Sequence, residues 1–263
     1  MRVVVKVGTS TLAHSGGRLN IRRVELLSKV LSDIKNAGHQ VILVSSGAIG
    51  MGCGKLGLAG RPDDMPGKQA AAAVGQCELM YTYDRLFSQY SHVVAQLLLT
   101  AEDIYHPVRS SHVRDTIERL LQWNVLPIIN ENDAVATDEI GIQTTIGEND
   151  SLSAIVAKLV DAELLVLLSD IDGLYTADPK MHPDAALIPE VGEITPEILA
   201  LAGGAGSELG TGGMATKLRA AQIAMDAGID MVITNGETPE KLYDIFEGKS
   251  VGTRFVGKEC TAV

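Results

Sequence analysis

Cysteine is scarce in this chain of 263 residues: Cys53, Cys77 and Cys260 are the only three, and no two are spaced as a pair. That excludes a disulfide framework, suits a reducing compartment, and leads us to expect a cytoplasmic protein. Aromatic residues make up 4 % of the chain with a single Trp, which leaves few platforms on which bases or sugars could stack. Basic residues are outnumbered, 22 against 33 acidic, for a net charge of −11. No basic stripe offsets this, so neither nucleic acid nor an anionic membrane is expected as a partner. Long apolar runs are missing too. The densest, Leu164 to Leu168, is far short of the roughly 20 residues of a membrane helix, and Lys6 interrupts the apolar start too early for a signal peptide. The six histidines pair neither with each other nor with cysteine, so no metal site is expected from them.

What is present is a globular composition, 46 % hydrophobic and 21 % charged, in a chain long enough to bury roughly 70–75 % of its unfolded surface. Short β-rich runs alternate with helical patterns, the signature of an α/β sheet covered on both faces. The runs are Arg2–Val7, Gln40–Val44, His92–Leu98, Leu126–Ile129, Leu164–Leu168 and Asp230–Thr234. Between the first two, Val24, Leu27, Val30, Leu31 and Ile34 recur at helical spacing, with Asn20 as N-cap and Gly38 past the end. Further helices are predicted from Lys68 to Ser88, from about Val108 to Trp123, after Asn149-Asp150-Ser151, after Gly212-Gly213 up to Gly228, and from Thr238-Pro239-Glu240. No repeat, low-complexity tract or linker interrupts the chain. It reads as one domain, 1–263, with substrate elements early (about 1–160) and nucleotide elements late (about 161–263).

Four Gly-, Ser- and Thr-rich turns follow strands or precede helices: Gly8-Thr9-Ser10, Ser45-Ser46-Gly47, Gly147-Glu148-Asn149-Asp150 and Gly210-Thr211-Gly212-Gly213. In α/β sheets the ligand crevice lies beyond the strand C-termini, where glycine admits an anion close to backbone N–H groups. Taken singly each is an ordinary tight loop, Lys6 is an edge-strand lysine facing water, and Lys217 is a solvated helix residue. Together, four such turns with two lysines beside them point to phosphate handling. Three other motifs fail. Gly54-Lys55 has Ile49 where a Walker loop needs Gly, and Leu56 follows it. Gly52-x-Gly54-x-x-Gly57 matches the dinucleotide fingerprint in letters, but Gly60, Pro62 and Pro66 follow at once, so it opens no helix and reads as chance in a Gly-rich chain. Ser45 and Ser46 lack a nucleophile-elbow frame.

Along its whole length the chain resembles the amino-acid kinase superfamily, and most closely its glutamate 5-kinase group. The resemblance rests on Val5-Lys6-Val7-Gly8-Thr9-Ser10, Val44 to Ile49, Ile129 to Val135, Gly147 to Ser153, Ser169-Asp170 with Gly173 to Pro179, and Gly210 to Lys217. It implies a three-layer α/β sandwich with a mostly parallel central sheet. It also implies ATP- and Mg²⁺-dependent phosphorylation of the L-glutamate side-chain carboxylate to an acyl phosphate, the first step of proline synthesis. By position, Lys6, Gly8, Ser169, Asp170, Thr211, Gly212, Gly213, Met214, Ala215, Thr216 and Lys217 would belong to the ATP site. Ser46, Gly47, Asp133 and Asn149 would hold glutamate, with Asp133 pairing with its ammonium and the others donating to its carboxylates. Lys6, Asp150 and Lys217 would be catalytic, Asp150 as the organiser of lysine or metal. The resemblance further implies a homo-oligomer, feedback inhibition by proline, and glutamate-5-semialdehyde dehydrogenase as functional partner. Many members carry an additional C-terminal domain of the PUA type, and the sequence to Val263 is expected to represent a form without it. Glu148 stands where Asp is expected, and Ser169 where Thr is common. The competing readings are a sister kinase acting on acetylglutamate, aspartate, a nucleoside monophosphate or a small phosphate, and a non-catalytic amino-acid sensor.

Overall fold

The computed structural model describes residues 1–14, 18–135, 149–202 and 213–258. Among the described residues eight strands form one sheet in the order β3-β4-β2-β1-β5-β7-β8-β6. They are β1 (Arg2–Val7), β2 (Gln40–Ser45), β3 (Val94–Leu99), β4 (Leu126–Glu131), β5 (Leu164–Ser169), β6 (Glu190–Val191), β7 (Asp230–Asn235) and β8 (Thr253–Phe255). The six strands predicted from sequence are all present, and all are parallel. Only β8 runs antiparallel to its neighbour β7, with β6 parallel to β8 at the edge.

The helices are α1 (Thr9–Leu12), α2 (Ile21–Asn36), α3 (Ala48–Leu56), α4 (Met65–Ser88), α5 (Ala101–Tyr105), α6 (Pro107–Gln122), α7 (Asn149–Leu159), α8 (Pro196–Leu201), α9 (Met214–Asp226) and α10 (Lys241–Phe246). Local chemistry sets their ends. The Asn20 side chain accepts from Arg23 N at the start of α2, and Gly38, at φ +94°, turns the chain beyond its end. Asp64 accepts from Gly67 N to start α4 three residues ahead of the predicted Lys68. The last helix begins at Lys241 rather than at Thr238, because Pro239 and Glu240 form the turn before it.

Strand alternation sorts the core into two layers. Val3, Val5, Val7, Leu43, Val166 and Leu168 pack on one face with Leu27 and Leu31 of α2 and Leu79 and Tyr83 of α4. Val4, Val44, Ile129, Leu165 and Leu167 pack on the other with Ile117 of α6, Leu152 and Val156 of α7, and Leu218 and Ala221 of α9. The result is the predicted three-layer sandwich. Lys6 has the parity of Val4, and so its side chain belongs to the α7/α9 face.

The glycines matched to the dinucleotide fingerprint have a structural role. Gly52 and Gly54 lie inside α3, which ends at Gly57 with φ +67°. A Cβ on Gly52 would sit 1.8 Å from the Ala71 carbonyl oxygen, and one on Gly75 would sit 1.8 Å from that of Ala48. The pair lets α3 and α4 cross in backbone contact. Gly75→Ala should therefore force the helices apart and cost roughly 2–3 kcal/mol in denaturant unfolding. Gly192→Ala, with nothing within 4 Å of its added Cβ, should change stability by no more than about 0.5 kcal/mol. Equal stability of the two variants would refute the close-packing role.

Candidate active site

The chain moves from β1 outward to β2, β3 and β4, then crosses back to β5 on the other side of β1. This makes the C-terminal end of β1 the topological switch point, where an open α/β sheet places its ligand crevice. Lys6 lies one residue from that end, paired in register with Val44 on one side and Leu167 on the other. It is therefore central, and the edge-strand alternative does not hold.

Lys6, Asp150 and Lys217 meet there. Asp150, in the first turn of α7, is 1 % exposed, Lys217 4 % and Lys6 9 %. Asp150 Oδ1 contacts Lys6 Nζ at 2.5 Å, and Oδ2 accepts from Lys217 Nζ at 3.2 Å. Lys217 is thus no solvated helix residue. Thr216 Oγ1 lies 3.2 Å from the same Oδ2 and donates to the Gly213 carbonyl at 2.8 Å, tying the start of α9 to the carboxylate. Burial pushes the Asp150 carboxyl upward, but the two ammonium charges outweigh it and hold the group below its ordinary value. One carboxylate here meets two ammonium groups at a nearly dry position, where each charge depends on the others. Gly8 lies directly over it: a Cβ there would be 3.6 Å from Lys6 Nζ.

A second cluster adjoins the first. Asn149, the residue before Asp150, donates from Nδ2 to Ser46 Oγ at 2.8 Å and to Asn130 Oδ1 at 3.0 Å. Asn130 in turn donates to Gln76 Oε1 at 2.9 Å. Both Asn149 amide hydrogens are taken by protein acceptors, and its buried Oδ1 has no partner among the described residues. Ser46 is held by its N–H to the Val7 carbonyl, and Gly47, at φ +105°, makes the turn into α3 that few other residues could make. Beside this relay lies a cavity of about 320 Å³ whose lining includes Ala48, Gln76, Cys77, Glu131 and Asp133. Burial raises the Asp133 carboxyl above its ordinary value, partly offset by the charge of Arg61.

Ser169, at the end of β5, donates to the exposed Asp170 carboxylate at 3.0 Å. Gly213 caps α9, followed by Met214 and Ala215 in its first turn. Thr211 and Gly212 lie outside the described residues, as do Gly147, Glu148, Gly210 and Cys260. Sequence reasoning gave no role to Asn130 or Gln76. A polar Asn ending the apolar run of β4 was a usable signal for the first, whereas Gln76 sits in an Ala-rich helix without one.

Residues 1–235 match the model of the amino acid kinase family. The chain belongs to this family. It is 54 % identical to the glutamate 5-kinase of Clostridium perfringens, over 98 % of this chain and 96 % of that protein. It is 56 % identical to that of Clostridium tetani, over 96 % and 93 %. Among solved structures it resembles a carbamate kinase from Giardia lamblia bound to AMP-PNP, at 21 % identity, TM-score 0.67 and 98 % coverage of each chain. It also resembles a T. acidophilum isopentenyl phosphate kinase product complex, at 19 % identity and TM-score 0.66 over 97 % of this chain and 100 % of the other. At these identities the two structures establish the amino acid kinase fold. Among the described residues no helix is long and apolar enough to cross a membrane.

The buried ion pairs generate a prediction with a definite sign. D150N should lower the melting temperature by on the order of 10 °C, because removing one partner of a buried pair costs about 3 kcal/mol or more. The folded-state pKa of Asp150 lies below its unfolded value. The stabilisation is therefore complete above the unfolded carboxylate pKa of about 3.9 and is lost only as pH falls below it. The gap between parent and D150N in thermal melts should be constant from about pH 8 to pH 5 and begin to narrow only below about pH 4. A gap that shrinks between pH 8 and 5 would show that another group controls it.

Proposed function

We propose that this chain transfers the γ-phosphoryl group of ATP to the side-chain carboxylate of L-glutamate, giving γ-glutamyl phosphate and ADP as the opening step of proline synthesis. The observation that carries this reading is the pair of buried lysines held on one carboxylate, whose neighbour Asn149 starts an amide relay that leads to a cavity lined by the half-buried acid Asp133. The high identity to glutamate 5-kinases supports the choice of substrate.

Phosphoryl transfer asks a protein chiefly to position two anions and to neutralise the group in transit. ATP supplies the phosphoryl group, and magnesium arriving with it would neutralise part of the phosphate charge. Among the described residues no cluster of three or more His, Cys, Asp or Glu groups is placed to bind a metal alone. Lys6 and Lys217 stabilise the charge that develops as the bond to the β-phosphate breaks and the new bond from the carboxylate forms. Asp150 holds both ammonium groups in place. The substrate carboxylate is already nucleophilic, so no general base is needed. Asp133, short of solvent, gains from an ammonium partner, which favours a free amino acid over its acetylated form.

Gly8, Ser169, Asp170 and the segment Thr211 to Lys217 would hold the nucleotide, and Ser46 and Gly47 would border the glutamate. This divides the single domain at about residue 160 into a substrate side and a nucleotide side. The same reading brings a homo-oligomer, inhibition by proline, a cytoplasmic location, and a functional link to glutamate-5-semialdehyde dehydrogenase, which consumes the acyl phosphate.

Hydroxamate trapping with Mg-ATP and a panel of L-glutamate, N-acetylglutamate and L-aspartate should give product with L-glutamate. Preference for another acid would assign the chain to a sister kinase, and absence of ATP turnover would make it a sensor. Lys6→Ala and Lys217→Ala should each lower kcat by about 10²–10³ with little change in the KM for glutamate. Folded variants that turn over within a fewfold of the parent would remove the lysines from the chemistry.

A further inference from the structure

Gln76 is a buried amide in the middle of α4, on a segment outside every motif that points to the kinase chemistry. Its carbonyl has one definite task. The backbone N–H of Glu131 can only donate, so the Asn130 atom 2.9 Å from it is the carbonyl oxygen Oδ1. The other end of that amide is therefore Nδ2, a donor, and it is met by Gln76 Oε1 at 2.9 Å. Since Asn130 Oδ1 also faces Asn149, the Asn149 atom 3.0 Å away must be its Nδ2. That nitrogen spends its second hydrogen on Ser46 Oγ. One direction of donation is thus imposed along four segments of the chain, and it fixes what remains: the Asn149 Oδ1 carbonyl, buried and without a partner among the described residues, is an acceptor.

An acceptor of this kind calls for a cationic or N–H donor, not a carboxylate. The relay reaches the cavity through Gln76, which lines it; Asn130 immediately precedes the wall residue Glu131, and Ser46 lies two residues before the wall residue Ala48. We propose that Gln76 is a positioning residue for amino-acid recognition, which orients Asn130 so that the Asn149 carbonyl faces the substrate ammonium alongside Asp133. This rests on the reading of the chain as a kinase of a free amino acid, and it revises the role of Asn149 from carboxylate donor to ammonium acceptor. Without the Gln76 carbonyl, Asn130 Nδ2 would be a buried donor with nothing to meet, and the amide would turn to find an acceptor.

The test compares L-glutamate with glutarate, the same five-carbon dicarboxylate without the amino group, by calorimetric titration of the whole chain. The parent should bind glutamate more tightly than glutarate. Q76L should weaken glutamate about tenfold, the loss of one buried hydrogen bond, and leave glutarate and ATP within about twofold. Q76E, which keeps an acceptor oxygen at the same place, should recover most of the glutamate affinity. If Q76L does not fold, Q76M serves in its place, since it keeps the length and lacks the amide. Equal losses for glutamate and glutarate, an unaffected glutamate affinity, or a Q76E no better than Q76L would each overturn the proposal while leaving the kinase reading intact. A parent that binds neither acid, or both alike, would overturn the two together.

Discussion

A single buried carboxylate organises this molecule. Asp150 sits almost out of water between ammonium groups from β1 and α9, and each of the three charges would be unfavourable in that position without the others. Their sequence positions, 6, 150 and 217, are far apart, so only the sheet can bring them together. It does so by placing β1 in the middle and sending the chain outward on one side before returning it on the other. The helix that follows β4 then starts over the end of β1, and the one preceding β7 starts beside it. The site is thus a property of the topology. Lys6 is tolerable in a Val-rich central strand only because α7 delivers an acid above it.

The first turn of α7 serves two purposes. Asn149 and Asp150 are adjacent, and successive side chains on a helix diverge by about 100°. One therefore joins the amide relay towards β2, β4 and α4, and the other joins the lysines of β1 and α9. This junction places the polar pocket and the cationic cluster side by side. Asp133, with its raised carboxyl, favours a cation. The Asp150 cluster presents two lysines on a single carboxylate.

Much of this was legible in the sequence. Six strands showed themselves through apolar runs bounded by turn residues, and α2 through the spacing of Val24 to Ile34 and its Asn20 cap. Lys6 and Lys217 stood out because a lysine next to glycine turns is unusual in an apolar strand or at a helix start. The elements that escaped have physical reasons to do so. Strands β6 and β8 have two and three residues, too few for any alternation to register, and Thr253 holds its place through side-chain bonds to Leu174 N and the Ile188 carbonyl. Helix α3 was hidden by its own glycines, which lower helix propensity and imitate a nucleotide loop. The direction of donation at Asn149 could not be read at all, because it is set by the Glu131 backbone and by Gln76, contacts that exist only once the chain is folded.

Those hidden glycines connect packing to chemistry. The α3–α4 crossing is close because Gly52 and Gly75 carry no side chain, and the residues on either side of that contact belong to the site. Ser46 and Gly47 lead into α3, and Gln76 directly follows Gly75. If the helices stood farther apart, the Gln76 carbonyl would leave Asn130 and the turn at Gly47 would move away from Asn149. The hydrogen bonds of the relay, at 2.8–3.0 Å, tolerate only a few tenths of an ångström before they weaken. The glycine contact therefore acts as a ruler for the relay: by fixing how near two helices come, it keeps the Gln76 carbonyl on Asn130 and the turn at Gly47 beside Asn149.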